Sequence, residues 1–363
     1  MKRIQSIDVF RGFTVAAMVL VNNPGDWSTV YEPLLHAKWH GLTPTDLIFP
    51  FFIFIVGISI SLAYNDTKPS KVIYRKILTR SLKLFGLGLF LNWFITSYPF
   101  LSSYSTLRIL GVLQRIGIVF FVTSILYLNC SKKALLLISV LILVTYNVLL
   151  GVIPLPNGLL PSFDRVPNNW ANYIDVKLLG NHLWKPDYDP EGILSTIPTI
   201  VSCLAGIFIG EVLKIHNKQK LLKLLCIYSL SFLALGYIWN SFFPINKSLW
   251  TSSFVLVTAG WASLFVLVFY YLCDIKQTSY VNLFTYVGMN AIGIYFLSSF
   301  ISKVFYLVTI NNGENVHSFL YSNFYNSIIN NNNLASLCYA LTVLLSYILL
   351  SYILFKRKIF FKV

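Results

Sequence analysis

The sequence predicts an all-α fold, a polytopic bundle of about ten transmembrane helices that forms a single domain over residues 1–363, with both termini in the cytoplasm. Hydrophobic residues make up 56% of the chain and charged residues only 11%, whereas a soluble domain carries about 25% charged residues. The apolar residues are grouped in blocks, and several blocks reach the length of about 20 residues that crosses a bilayer. The basic residues fall in short clusters between the blocks, which is the positive-inside pattern.

Ten apolar blocks are assigned as spans, at residues 5–23, 46–65, 77–95, 108–128, 133–153, 193–213, 221–240, 250–272, 281–303 and 334–355. With the N-terminus inside, the cytoplasmic segments carry most of the 28 Lys and Arg residues, including Lys2, Arg3 and Lys362. The reverse orientation would place these charges outside. The net charge of +15 therefore reflects membrane topology, and the predicted partner is a lipid bilayer rather than a nucleic acid.

Asp8 and Arg11 interrupt the first apolar run, so we interpret this run as a retained first helix rather than a signal peptide. The five cysteines show no paired spacing, which indicates small apolar residues and no disulfide framework. Three long connections are assigned to the outer side, at residues 24–45, 154–192 and 304–333. The first two are rich in aromatic residues and proline, which favours a functional role, and the third, with its Asn run at 330–333, is predicted to be partly disordered.

The first outer loop contains His36 and His40, directly before a predicted helix start. Thr43 suits the N-cap, Pro44 the first turn, and Asp46 the position that returns a hydrogen bond to the cap. A helix N-terminus favours negative charge, including a developing oxyanion. For His36 three interpretations remain open at this point: interfacial packing, a metal site shared with His40, and a general base or nucleophile.

Polar side chains inside the spans form a second group, which comprises Asp8, Arg11, Asn22, Asn92, Arg108, Gln114, Arg115 and Asn290. Such residues face a bundle interior or a cavity, because charge in lipid is costly. Asp8 and Arg11 are three apart and are expected to pair. Arg108 and Arg115 are predicted to share a face of the fourth span, and Arg115 has no acid in its own helix, which favours a polar cavity around it.

A third group, Asn181-His-Leu-Trp184 followed by Asp187-Tyr-Asp-Pro-Glu-Gly192, precedes the sixth span. Its acids either cap the next helix or receive a cationic or polyhydroxyl ligand.

Taken together, a series of these segments resembles the heparan-α-glucosaminide N-acetyltransferase family of transmembrane acyltransferases. The matching segments occur in order along nearly the whole chain and are Ser6–Gly12, Val21-Asn22, His36–Thr43, Asp46–Pro50, Arg108–Ile116, Asn181–Leu183, Tyr188–Gly192, Asn246–Trp250 and Gly288–Asn290. The chain resembles the compact bacterial members, without the N-terminal extension of the lysosomal enzyme, so we expect an integral protein of a bacterial inner membrane.

The resemblance implies acetyl transfer from cytosolic acetyl-CoA to the amine of a glucosamine unit on the far side of the membrane, without a metal. It implies His36 and Asn22 as catalytic residues. We predict that the acceptor is bound by Asp46, His182, Asp189, Glu191 and Asn290. We predict that acetyl-CoA is bound by Lys71 and Arg75 at its phosphates, and along a polar passage by Asp8, Arg11, Asn92, Arg108, Gln114 and Arg115.

Two other functions stay open: an amino-sugar transporter without acyl chemistry, and an O-acetyltransferase that modifies a hydroxyl of a surface glycan. The sequence also leaves open the natural acceptor, whether an acetyl-histidine intermediate forms, and whether the protein is a homodimer.

Overall fold

The computed structural model describes residues 4–95, 100–278, 282–310 and 313–361. Within these ranges the regular structure is helical, and extended pairing is limited to three isolated bridges. The chain is therefore the all-helical membrane protein that its sequence predicts. Lys2, Arg3 and Lys362, which belong to the predicted inner charges, lie outside the described residues.

Thirteen α-helices are present in the described ranges. They are α1 (Gln5–Asn22), α2 (Pro44–Ala63), α3 (Lys71–Trp93), α4 (Val112–Asn129), α5 (Lys132–Gly151), α6 (Trp170–Leu179), α7 (Ile193–Val212), α8 (Lys218–Trp239), α9 (Ser252–Phe269), α10 (Asn282–Met289), α11 (Ala291–Leu307), α12 (Val316–Tyr321) and α13 (Asn332–Lys356).

Seven described helices are long and apolar enough to cross a membrane, and the bent pair α10–α11 makes an eighth span. Helices α1 and α3, with 18 and 23 residues, are long enough but more polar, since α1 contains Asp8 and Arg11 and α3 contains five Lys and Arg residues. These ten elements correspond one to one to the ten predicted spans. The remaining helices, α6 and α12, lie in two of the predicted outer loops, so both loops are more ordered than a simple connection.

Helices α2, α7 and α9 form the buried centre of the bundle, whereas α5, α8 and α13 expose most of their surface. The central pair α2–α7 packs very closely at its glycines. A Cβ on Gly57 would lie 1.9 Å from the carbonyl oxygen of Cys203, and one on Gly206 would lie 2.0 Å from that of Phe54. Small residues allow such backbone contact in lipid, where van der Waals packing drives helix association.

The ninth span, predicted as one helix over residues 281–303, is broken. Helices α10 and α11 meet at Asn290 with a bend of 84°. The break is stabilised by the segment after α13, because the Asn290 side chain donates to the carbonyl of Ile359 at 3.1 Å and accepts from the N–H of Phe361 at 2.9 Å. The apolar pattern alone does not reveal this break, since it continues on both sides.

The fourth helix begins at Val112 rather than at residue 108. The Asn92 amide donates to the carbonyls of Arg108 and Leu110, at 3.0 and 3.1 Å, and so holds this stretch extended. Arg108 therefore lies in a loop and does not share a helical face with Arg115. As part of a loop, Arg108 lies beside acids of the 180–192 segment.

The described part of the third outer connection is largely helical rather than disordered. It contains α12 and a π-helical turn at Ser322–Asn326. The Asn run continues into α13, where the Asn331 side chain caps the N–H of Leu334 at 3.0 Å. An Asn run is thus used as a helix N-terminus, which suits the capping preference of this residue.

Candidate active site

His36 lies just before α2 and is held by an acid of the first turn of that helix. Its Nδ1 is 2.7 Å from Asp46 Oδ1. Asp46 Oδ2 accepts the backbone N–H groups of Ala37 at 3.1 Å and Thr43 at 3.0 Å. The bond to Thr43 is the predicted return bond to the cap, so one carboxylate both starts α2 and orients the imidazole.

The two partners differ in exposure, because the side chain of Asp46 is 1% exposed and that of His36 is 52% exposed. A carboxylate at Nδ1 favours the tautomer with the proton on that nitrogen, which leaves a lone pair on Nε2. An oriented, half-exposed imidazole of this kind is suited to accept a proton or to attack a carbonyl carbon. His40, in contrast, contacts Asp164 through Nε2 at 3.0 Å.

Lys247 is the third member of this cluster, and sequence reasoning did not assign it to the site. Its Nζ lies 3.0 Å from His36 Nδ1, 3.1 Å from His36 Nε2 and 3.7 Å from Asp46 Oδ1. Burial lowers the pKa of Lys247, and the charges of Asp46 and Glu191 partly offset this. The sequence contains an indication of this residue, because Lys247 belongs to the Asn246–Trp250 segment, one of the segments on which the family resemblance rests. No local sequence pattern, however, connects that segment to His36.

Three connections interlock around this cluster, which we call the His36 end of the bundle. The Trp39 indole donates to the carbonyl of Phe163 at 2.8 Å, and the N–H of Gly41 donates to the carbonyl of Ile245 at 2.9 Å. Gly41 has a φ of 115°, a conformation that favours glycine. These contacts tie the loop before α2 to the loops before α6 and α9, and so position Lys247 beside His36.

The predicted catalytic Asn22 is the last residue of α1 and is exposed. The described contacts include no hydrogen bond between Asn22 and His36. Its neighbour Asn23 is buried and donates to the carbonyl of Val19 at 2.7 Å. Asn22 therefore presents its side-chain amide at the surface. It would take part in the reaction only through contact with a bound ligand.

Arg108, Asp189 and Glu191 form one ion cluster. Arg108 bonds Asp189 with two nitrogens, at 2.9 and 2.6 Å, and Glu191 at 2.5 Å. Asp189 also accepts the backbone N–H groups of Trp184 and Glu191, both at 2.9 Å. Burial works against the charge of Glu191, but Arg108, Arg115 and Lys247 outweigh it and lower its pKa. The cluster therefore joins two groups that the sequence analysis assigned to different ligands.

Arg115 is almost fully buried, at 1% exposure. Its Nη2 donates to the carbonyl of Gly192 at 3.1 Å and to the hydroxyl of Ser195, and the guanidinium lies 5.2 Å from the centre of the Trp250 ring. Within the described residues, its Nε and Nη1 have no hydrogen-bond partner. The guanidinium is thus enclosed in the bundle interior and bonded through Nη2, and the polar cavity around it stays a prediction.

Four further predicted site residues are engaged by the protein itself. His182 Nδ1 contacts the carbonyl of Leu107 at 2.8 Å, and the Gln114 amide donates to the carbonyl of Ile109 at 3.1 Å. Asn92 holds the Arg108 loop, and Asn290 holds the segment after α13, as described above. These side chains shape the backbone near the site, and the structure does not place them against His36.

A cleft of about 360 Å³ opens among α1, α2, α3, α4 and the α10–α11 bend. Its polar lining comes from Arg11, Ser59 and Arg80. Arg11 donates to Ser59 at 2.9 Å and pairs with Asp8 at 3.2 Å, as predicted. The predicted phosphate ligands Lys71 and Arg75 are exposed on the first turns of α3, outside this lining, whereas Arg80 on the same helix is part of it.

Along α2 the cleft runs from Ala63 to Phe52, which is about 16 Å at 1.5 Å per residue. Asp46 lies six positions before Phe52, a rise of about 9 Å. In this interval Phe49 packs edge-on against Trp250, with ring centres 5.3 Å apart. The cleft therefore points from the opposite end of the bundle toward His36. The aromatic pair Phe49–Trp250 lies between the cleft and His36.

Comparison with known proteins gives a consistent result. The family description "Heparan-alpha-glucosaminide N-acetyltransferase, catalytic" matches residues 3–235, a range that includes His36 and ends before Lys247. Two curated proteins named heparan-alpha-glucosaminide N-acetyltransferase are similar to this chain, one from Homo sapiens at 31% identity and one from Mus musculus at 28%. Each alignment covers 99% of this chain and 60% of the relative, so the chain spans about 60% of the length of these relatives.

Proposed function

Since the chain belongs to the heparan-α-glucosaminide N-acetyltransferase family, we propose that it transfers the acetyl group of acetyl-CoA to the amine of a glucosamine-type sugar across the membrane. The observation that carries the proposal is the His36–Asp46 pair, at 2.7 Å, at the mouth of a membrane helix bundle. In this assignment the His36 end faces the extracytoplasmic side and the basic end faces the cytoplasm of a bacterial inner membrane.

His36 acts through Nε2, because Asp46 occupies Nδ1. In a direct transfer, Nε2 accepts the proton of the acceptor amine while the amine nitrogen attacks the acetyl carbon. In a two-step transfer, Nε2 first takes the acetyl group and CoA leaves as the thiolate, after which the amine attacks the positively charged acetyl-imidazole and releases the proton that balances the thiolate. In both routes Asp46 stabilises the positive imidazole, as the acid of a Ser-His-Asp triad does.

Acetyl-CoA enters from the opposite end, and the cleft between α1 and α4 is its site in this proposal. Arg11 and Arg80 offer two guanidinium groups to its phosphates, and Lys71 and Arg75 add attractive charge at the entrance. Delivery of the acetyl group to His36 then requires Phe49 and Trp250 to separate.

The acceptor side of the proposal is revised by the contacts. Asp189 and Glu191 are neutralised by Arg108, and His182 and Asn290 are bound to backbone groups. We therefore assign these four residues to the framework and keep Asn22, whose amide is exposed, as the polar group that meets the acceptor. Asp46 is reassigned from acceptor binding to the orientation of His36.

The transporter alternative has one observation in its favour, the 84° break between α10 and α11, since broken helices occur in transporters. Such proteins use a pair of breaks at matched positions of two halves. In the described ranges α10–α11 is the one bent pair of this kind, and the Asn290 side chain at the break is occupied. Acetyl transfer is therefore the better-supported function.

The test uses purified protein in liposomes, labelled acetyl-CoA on the basic side, and a panel of amino sugars and neutral sugars on the other. We expect N-acetylated product on the acceptor side from the wild type and none from His36→Ala, with acetyl-CoA binding unchanged. His40→Ala is the matched control and should retain activity. Uptake of unmodified sugar would favour the transporter, product from neutral sugars the O-acetyltransferase, and full activity of His36→Ala would exclude the proposed role of this residue.

A further inference from the structure

Lys247 stands above the imidazole ring of His36 rather than at its edge. Its Nζ is almost equidistant from the two ring nitrogens, at 3.0 and 3.1 Å. A donor in line with the Nε2 lone pair would be much farther from Nδ1, because the two lone pairs point away from each other. Lys247 therefore does not block Nε2, and its charge lies beside the atom that performs the chemistry.

The ammonium group has three donors. Among the described residues its polar contacts are the two nitrogens of the His36 ring and Asp46 Oδ1, the latter at 3.7 Å. The side chain is only 18% exposed, so its charge is partly shielded from water. A partly shielded cation next to a reactive nitrogen is arranged to stabilise negative charge that develops there.

We propose that Lys247 is a catalytic residue that stabilises the oxyanion formed on the acetyl group during transfer. The inference rests on the proposed function and adds a residue to it. When the attacking nitrogen forms its bond to the acetyl carbon, the electron pair of the C=O bond moves to oxygen. When that pair returns, the C–S bond breaks. In direct transfer the departing CoA sulfur takes the proton that His36 Nε2 received from the amine. In the two-step route CoA leaves as the thiolate, and the proton that the amine later releases balances its charge.

This role is the same for direct transfer and for the route through acetyl-His36, because both pass through a tetrahedral oxyanion. The acetyl oxygen then lies near Nε2, within reach of the Lys247 Nζ. Three other charged groups act on Lys247 from neighbouring elements: Asp46 at the start of α2, Glu191 before α7, and Arg115 in α4. Burial lowers the pKa of Lys247 and Arg115 acts in the same direction, whereas the two acids raise it and so favour the protonated amine.

The experiment compares the kcat and KM for acetyl-CoA of the wild type, Lys247→Met and Lys247→Arg, with glucosamine as the probe acceptor. Lys177→Met, on the exposed face of α6, is the matched control. Lys247→Met should lower kcat about 100- to 1000-fold, the usual effect of removing one oxyanion donor, with KM little changed. Lys247→Arg should recover part of kcat, since it restores the charge.

The pH profile adds a readout that a structural role would not alter. Burial lowers the pKa of Lys247, so the wild-type kcat should fall at alkaline pH below the ordinary lysine range. Lys247→Arg, which stays charged, should lose this alkaline decline. An unchanged kcat in Lys247→Met, an effect on KM alone, or an identical alkaline decline in Lys247→Arg would each overturn the inference. A wild type without acetyl transfer would instead overturn the proposed function, and this inference with it.

Discussion

Replacement of Asp46 by Asn should lower the kcat for acetyl transfer strongly while preserving the fold. The Asp46 carboxylate has two different environments, since Oδ2 faces the N–H groups of Ala37 and Thr43 and Oδ1 faces His36 Nδ1. In Asp46→Asn the amide oxygen must take the place of Oδ2 and accept from the N–H groups of Ala37 and Thr43. An NH₂ group in that place would set a donor against two donors. The NH₂ group then donates to Nδ1 and forces the imidazole proton onto Nε2.

The reversed tautomer removes the lone pair that both routes of transfer require. An equivalent change in a Ser-His-Asp triad lowers kcat about 10⁴-fold, so we expect a loss of three to four orders of magnitude, about 4–5.5 kcal/mol in the activation barrier. The backbone bonds that start α2 persist, and the melting temperature should stay near that of the wild type. Asp46→Ala should in addition destabilise the protein by about 1–3 kcal/mol, because it removes the cap bond and leaves buried N–H groups unpaired.

The measurement is formation of N-acetylglucosamine from labelled acetyl-CoA and glucosamine by purified protein, together with thermal unfolding in detergent. Asp164→Asn is the matched control, since this exposed carboxylate also contacts a histidine, His40, but through Nε2, and should tolerate the change. If Asp46→Asn kept more than about a tenth of the wild-type kcat, the tautomer argument would be refuted. Equal losses in Asp46→Asn and Asp164→Asn would point to a general electrostatic effect instead.

Three further outcomes follow from the same contacts. Arg108→Met should destabilise the protein by about 3–5 kcal/mol, because it leaves Asp189 and Glu191 buried without their ion-pair partner; an unchanged melting temperature would contradict this. Arg80→Ala should raise KM for acetyl-CoA about tenfold, the scale of one charged hydrogen bond, without changing kcat, and a KM equal to the wild type in a titration at low salt would move the phosphate site elsewhere. Burial raises the pKa of Asp175 to about 7, above its unfolded value, so stability should decrease as pH rises from 4 through 7 by up to about 4 kcal/mol, and Asp175→Asn should flatten the dependence of melting temperature on pH.

The sequence by itself determined the features that depend on near neighbours along the chain. The ten spans follow from apolar blocks of bilayer length, and the start of α2 follows from Thr43, Pro44 and Asp46, which act within one helical turn. The pairing of Asp8 with Arg11 follows from their spacing of three residues. These are short-range effects, so their outcome is the same wherever the helix is placed in the bundle.

Only the tertiary structure decided which distant groups meet. Lys247 reaches His36 across 211 positions of the chain, and Arg108 reaches Asp189 across 81. No periodicity encodes such distances, because they depend on how the outer connections fold over the bundle. The same holds for the break at Asn290, which is stabilised by a backbone segment about 70 residues later. The sequence indicated His36 as the candidate catalytic histidine, whereas only the tertiary packing placed the charge of Lys247 beside it.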